Sequence, residues 1–166
     1  MVERIKSPCV GICSSGIGDA VCRGCKRFSH EVIAWNSYSE LERRLVRHRL
    51  DRFLAQVVEI RLELIDIFRL RRAVEAYRLV DIAADRNPYC QIQELLQAAA
   101  SRIQTPEGCG FRLRPDYSQK SLAAVRDDID QEFWQLSQAH FDRYVAPGIV
   151  AEANINTADL DNNPRN

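Results

Sequence analysis

The sequence lacks a hydrophobic run long enough to cross a bilayer, which requires about 20 consecutive apolar residues. Its most apolar region, residues 60–70, is interrupted by Arg61, Glu63, Asp66 and Arg69. The first residues, MVERIK, are polar and no apolar run follows them, so no secretory signal is indicated. We therefore expect no membrane segment and a location in the reducing cytoplasm.

The sequence also lacks an excess of either charge, and it has few histidines. The 23 Lys and Arg balance the 23 Asp and Glu, which argues against overall electrostatic binding to nucleic acid. The three histidines, His30, His48 and His140, lie far apart and none shares a cluster with acids. No glycine-rich phosphate loop and no nucleophile paired with a base can be found. These absences predict a protein that is not an enzyme.

Cysteine, in contrast, is abundant and concentrated near the start of the chain. Four of the six cysteines, Cys9, Cys13, Cys22 and Cys25, lie within 17 residues in the spacing C-x3-C-x8-C-x2-C. In a reducing compartment such pairs are more often metal ligands than disulfides or incidental thiols. Four thiolates can hold a tetrahedral Zn²⁺ or an iron–sulfur cluster, and the spacing alone does not choose between them. We predict one metal centre on these four residues, whose binding orders the N-terminal segment.

Other reactive or charged groups have simpler interpretations than a functional site. Cys90 and Cys109 have no cysteine nearby in the sequence and are predicted to be small hydrophobic residues without a metal. The acids within residues 127–132 predict a solvated helix face, because adjacent helical positions do not face one another.

A basic strip near residue 47 could face nucleic acid, but the interleaved acids favour a solvated helix face here as well. The strip comprises Arg43, Arg44, Arg47, His48, Arg49 and Arg52.

The N-terminal motifs resemble those of a bacterial family. SPCVGIC, then CRGCKR, and then Glu31, Trp35, Ser39 and the pair Arg43-Arg44 are similar to the domain of unknown function 1289 family. Its members are predicted iron–sulfur proteins of the YdhL type. The resemblance covers roughly residues 5–50 and implies an iron–sulfur or related metal site on the four clustered cysteines.

The resemblance assigns roles only to positions that match the family pattern. The presumed ligands are Cys9, Cys13, Cys22 and Cys25, and the framework positions are Ser7, Pro8, Gly24, Arg27, Glu31 and Trp35. Where the family has Thr after Arg27, this chain has Phe28, which removes a helix cap paired with Glu31. We therefore expect the following helix to begin at Ser29.

Apolar periodicity predicts an all-α protein. A small four-cysteine metal-binding head with the first helices occupies residues 1–50, a helical bundle body occupies 51–145, and residues 146–166 form a disordered tail. Helices are expected from Ser29 to Trp35, from Pro88 onwards, and over residues 119–145. Residues 105–118 are expected to form a loop with a short extended piece at 111–114, and no set of strands is predicted.

The longest predicted helix begins with a capping box of Ser39 and Glu42. An apolar stripe then runs from Val46 to Ile67, flanked by Leu54, Val58, Ile65 and Phe68. Because the stripe is wider than a coiled-coil seam, we expect it to pack mainly within its own chain, with a dimer as the alternative. The pattern does not decide whether this helix continues to Ala84.

Three functional hypotheses follow from these patterns. The first is a non-enzymatic metal-binding protein whose helical body binds a protein partner or a second copy of itself. The second is an iron–sulfur protein of electron transfer or redox sensing. The third, a zinc-dependent module that binds nucleic acid, is disfavoured because the basic strip has no aromatic residues suited to base stacking.

Overall fold

The structure, a computed structural model, describes residues 5–77, 79 and 86–149. The helices are α1 (Ser29–Ile33), α2 (Glu40–Arg61), α3 (Ile67–Ala76), α4 (Pro88–Ala99) and α5 (Leu122–Tyr144), and the strands are β1 (Leu62–Leu64) and β2 (Phe111–Leu113). Short 3₁₀ turns occupy Ser15–Ile17, Pro106–Cys109 and Pro115–Tyr117. The mainly helical class is confirmed, and a small two-stranded sheet is added to it.

Helix α2 begins with the predicted capping box and forms the centre of the body. The Ser39 N–H donates to Glu42 Oε2 over 2.7 Å, and the Glu42 N–H donates to Ser39 Oγ over 3.3 Å. The inner face of α2 packs in one core with α4 and α5. Its buried apolar residues are Val46, Leu50, Phe53, Leu54, Ala55, Val57 and Val58. The predicted packing within the chain is confirmed for residues 46–58 of the stripe.

Helix α2 ends at Arg61, before the end of the predicted stripe. The chain continues as β1, in which Leu62, Glu63 and Leu64 pair antiparallel with Leu113, Arg112 and Phe111 of β2. The stripe from Val46 to Ile67 is therefore not one helix face, and the chain from Glu40 to Ala84 is not one helix.

The change to strand pairing follows from contacts that the local pattern does not contain. The N–H groups of Ile65 and Asp66 donate to the carbonyl oxygen of Gly110, over 2.9 and 3.0 Å. Asp66 then caps α3 by accepting from the N–H of Phe68. As a result, the side chains of Ile60, Ile65 and Phe68, which were predicted to lie in or beside the buried stripe, are exposed.

The two remaining long helices begin close to their predicted positions. Asn87 accepts from the Tyr89 N–H before Pro88 opens α4, and Ser121 accepts from the Ala124 N–H before α5. Residues 146–149 continue past α5 as a helical turn. The predicted helix end at Ala84 and the predicted disorder of residues 150–166 lie outside the described residues.

The N-terminal head packs against the end of α5 through a small apolar cluster of Val21, Phe28 and Phe141. Val21 and Phe28 also form an isolated antiparallel bridge. This cluster holds the C-x2-C segment against the body. In the described part of the chain, no helix combines the length and apolar character that crossing a bilayer requires.

Candidate metal centre

Cys22 and Cys25 lie in a tight hairpin that ends at Arg27. The Cys22 N–H donates to the Arg27 carbonyl over 2.9 Å, and the Lys26 N–H donates to the Cys22 carbonyl over 2.8 Å. Among the described residues, Lys26 is the one non-glycine with a positive φ, 60°. This turn places Cys22 and Cys25 in one buried segment.

The segment that carries Cys9 and Cys13 packs directly against this hairpin at Gly24. A Cβ at Gly24 would lie 2.2 Å from the carbonyl oxygen of Ile12, so only glycine allows this approach. The Cys22 sulfur lies 3.6 Å from the same oxygen. The two cysteine-bearing segments are therefore in backbone contact, which explains Gly24 as a framework position.

The environment of Cys22 favours the thiolate, the form that binds metals. Burial alone would raise the pKa of Cys22. The backbone N–H groups of Cys25, Ser14 and Gly24, together with the Cys25 side chain, outweigh burial and lower this pKa to about 6. The lowered pKa therefore favours the thiolate form of Cys22 even without a metal.

Cys25 has a different environment. Burial raises the pKa of its thiol, and the Arg27 guanidinium partly opposes that effect. Arg27 Nε donates to the Cys25 sulfur over 3.3 Å, and the guanidinium also lies 4.7 Å from the centre of the Trp35 ring. Arg27 is itself almost fully buried. It therefore supplies a fixed positive charge and a hydrogen-bond donor at the sulfur of a predicted ligand.

A second buried cation connects the hairpin to the body. The side chain of Lys26 is only 3% exposed, and its ammonium group donates to the Gly24 carbonyl and to Asp130 of α5. Beside this ion pair, Trp134 Nε1 donates to the Val21 carbonyl over 3.1 Å. Both buried cations, Lys26 and Arg27, oppose the negative charge that thiolates bring to this site.

Glu31 explains how α1 begins without the threonine of the family pattern. The Phe28 N–H donates to Glu31 Oε2 over 2.9 Å, so the expected start at Ser29 is confirmed. Arg49 of α2 donates to both carboxylate oxygens of Glu31, over 2.5 and 2.7 Å. This largely buried ion pair joins α1 to α2.

The structure brings together two of the four predicted ligands. Cys22 and Cys25 are buried side by side, whereas Cys9 and Cys13 are exposed on the adjacent segment. Within the described residues, no three His, Cys, Asp or Glu side chains converge closely enough to hold one metal ion. The chemistry of the donors fits a thiophilic metal, but the four-ligand centre itself stays a prediction.

The two other cysteines lie in the body. Cys90 is fully buried in α4 and donates to the Asp51 carbonyl over 3.2 Å. Burial raises the pKa of Cys90 to about 12, so this thiol stays protonated. Cys109 is half-buried in the turn before β2, and burial raises its pKa too. Neither environment favours a thiolate.

Sequence reasoning missed the partners of several charged residues. Asp130 pairs with Lys26, and Glu132 pairs with Arg61, so these acids hold elements together instead of forming a freely solvated face. Lys26 and Asp130 are 104 residues apart in the sequence, and no local pattern connects them. His140 packs between aromatic rings, and burial lowers its pKa.

Residues 7–53 match a family described as protein of unknown function (DUF1289). No curated protein and no solved structure shows a significant match to the chain. The matched segment contains the four clustered cysteines, α1 and the first half of α2. The resemblance seen in the N-terminal motifs is thus confirmed over residues 7–53, the segment that matches the DUF1289 family.

Proposed function

We propose that Cys9, Cys13, Cys22 and Cys25 bind one metal centre, either Zn²⁺ or an iron–sulfur cluster, and that this centre orders the head of a non-enzymatic protein. Four thiolates are a suitable donor set for both. When bound, zinc would supply a structural cross-link, whereas a cluster would supply a one-electron redox centre. The thiols must stay reduced to bind, which suits a cytoplasmic location.

The contact at Gly24 is the observation that carries the proposal. It joins the Cys9–Cys13 segment to the Cys22–Cys25 hairpin through backbone atoms, so the segments need no large rearrangement to share a ligand. The hydrogen bonds that lower the pKa of Cys22 to about 6 act in the same direction, because they prepare a thiolate. Metal binding would then bring the exposed Cys9 and Cys13 to the donor set.

The buried cations give the proposal a second, electrostatic support. Four thiolates around a divalent ion leave a net negative charge, and burying an uncompensated charge is costly. Arg27 donates to the Cys25 sulfur and Lys26 lies in the same turn, both almost fully buried. Lys26 is paired with Asp130, so Arg27, which donates to the Cys25 sulfur, is the cation whose charge is available to offset the thiolates.

The test is metal analysis of protein purified without oxygen. We expect one metal centre per chain in the wild type and its loss in each single Cys→Ser variant of the four ligands. Cys90→Ala and Cys109→Ala are matched controls and should keep full metal content, because neither lies in the paired spacing. Full metal retention in both Cys13→Ser and Cys22→Ser would contradict the four-ligand centre.

Exposure of two ligands favours electron transfer as a second candidate function. Cys9 and Cys13 are exposed, so a cluster bound by them would lie at the protein surface, where a redox partner can approach. Visible absorbance that bleaches with a chemical reductant would support this function. A colourless sample that contains stoichiometric zinc would support the structural role and exclude the redox one.

A further inference from the structure

The structure divides the basic strip of α2 into two sets of side chains. Arg43, Arg47 and Arg49 bind groups of their own chain: backbone carbonyls and Glu40 for Arg43, Asp51 for Arg47, and Glu31 for Arg49. The remaining members of the strip project into solvent. The inward set stabilises the fold, so only the outward set is available for binding.

The outward set is Arg44, His48 and Arg52, and all three are exposed. In the described part of the chain, none of them has a carboxylate partner; Arg52 only approaches the ring of Phe53, at 5.3 Å. Two arginine cations with a histidine between them on one helix face form a local positive field on a protein whose net charge is zero.

Two leucines share this face of the helix. Leu41 is 67% exposed and Leu45 is 62% exposed, one turn apart. With Arg44, His48 and Arg52 they occupy positions i, i+3, i+4, i+7 and i+11, which lie on one side of an α-helix. We call this surface the outer stripe of α2, and it consists of Leu41, Arg44, Leu45, His48 and Arg52.

The charges of the outer stripe indicate which kind of molecule binds it: a second copy of the chain, nucleic acid or a helix of another protein. Glu40 and Asp51 flank the stripe, but Glu40 is bound to Arg43 and Asp51 to Arg47 and Arg86, and the neighbouring Glu42 is bound to Ser39. Along the centre of the same face the first acid is Glu59, two turns beyond Arg52. A second copy placed across the stripe would bring cations against cations, which is unfavourable. Nucleic acid would use the cations but would leave both leucines without an apolar partner. An acidic helix with its own apolar stripe satisfies both kinds of residue.

We propose that the outer stripe of α2 binds an acidic amphipathic helix of a partner protein. Apolar residues of that helix cover Leu41 and Leu45, while its carboxylates face Arg44, His48 and Arg52. The surface is small compared with the roughly 800 Å² per partner of a stable complex, so binding is transient. The interaction does not depend on which metal the head contains.

The test uses the full-length, metal-loaded protein and two synthetic helical peptides. Both peptides carry the same leucine stripe, flanked by Glu in one and by Lys in the other. Backbone amide NMR signals of residues 41–52 are expected to shift with the acidic peptide. The affinity for the basic peptide should be lower by at least about tenfold.

Variants of the protein separate the charge contribution from the apolar one. The double variant Arg44→Glu, Arg52→Glu should bind the acidic peptide about tenfold more weakly and lose the preference between the peptides. Leu45→Ser should abolish the shifts while the circular dichroism stays unchanged, because Leu45 is exposed. Arg72→Glu in α3, at another exposed arginine without a partner in the described residues, is the matched control and should leave the affinity unchanged.

Three results would overturn the proposal. The first is equal affinity for the acidic and basic peptides, or no shift with either at millimolar concentration. The second is a set of shifts outside the outer stripe. The third is occupation of the stripe by something else, seen as self-association that Leu45→Ser abolishes or as duplex RNA binding that the double arginine variant abolishes.

Discussion

Replacing Gly24 by alanine tests whether the contact between the two cysteine-bearing segments is required for metal binding. The added Cβ would lie 2.2 Å from the Ile12 carbonyl oxygen and 2.9 Å from Cγ2 of Val10. Ordinary van der Waals contact begins at 3.4 Å. Because the nearest atom belongs to the backbone, the whole Cys9–Cys13 segment must move away from the hairpin.

The size of the effect follows from the cost of that displacement. Inserting a methyl group into a closely packed contact costs about 1–3 kcal/mol. A metal that bridges both segments must restore their approach, so this cost is subtracted from the free energy of binding. We therefore expect the metal affinity of Gly24→Ala to fall by about 5-fold to about 150-fold. The helical body should keep its stability, because Gly24 lies outside it.

The assay is an oxygen-free competition between the full-length protein and a chromophoric chelator for Zn²⁺. Gly16→Ala is the matched control: it adds the same methyl group in the same head, where no atom lies within 4 Å of the new Cβ. The reasoning is refuted if Gly24→Ala binds zinc as tightly as the wild type. An equal loss in Gly16→Ala would also refute it, because that loss could not come from the contact with Ile12.

Two further predictions concern the body and the thiolate. Val57 is 1% exposed, so Val57→Asp buries an unpaired carboxylate at a cost of several kcal/mol, roughly half of a typical domain's stability. Denaturant titration should show this loss of stability in Val57→Asp. The control Gln56→Asp, on the exposed side of α2, should keep the wild-type stability. A Val57→Asp variant that stays folded and only changes oligomeric state would mean that α2 is an association surface. Folding lowers the pKa of Cys22 from 9.0 to about 6, so its contribution to the stability of the reduced, metal-free protein is full above pH 9 and is lost as the pH falls through about 6. Ultraviolet thiolate absorbance should show a titration step near that lower value, and this step should be missing in Cys22→Ser. If Cys22 instead titrates with a midpoint near 9, the backbone N–H groups do not stabilise its thiolate.

Local signals in the sequence were sufficient for the helix starts and for the cysteine motif. Ser39 with Glu42 marks a helix start through bonds between residues three apart, and Asn87 before Pro88 marks another. The spacing of the four cysteines predicted a metal site and the family segment, and the family match confirms the segment. These features depend on near neighbours along the chain, so the order of residues contains the information.

Local sequence signals could not predict the two-stranded sheet, nor that α2 ends at Arg61 where the first strand begins. Leu62 to Leu64 continue an apolar helical stripe, and only pairing with Phe111 to Leu113 makes them a strand. The bonds that Gly110 accepts come from residues more than forty positions earlier in the chain. Helical periodicity describes which side of a segment is apolar, but it contains no information on a distant strand partner.

The cysteine head shows the same division between sequence and structure. The sequence alone predicted that Cys22 and Cys25 lie in one turn, because two intervening residues suffice to bring two such side chains together. Only the tertiary structure decided that the Cys9–Cys13 segment contacts the hairpin at Gly24. The same holds for the hydrogen bond from Arg27 to the Cys25 sulfur and for the ion pair of Lys26 with Asp130. A buried cation is stable only next to its partner, and that partner is supplied by a helix that folds against the head from the far end of the chain.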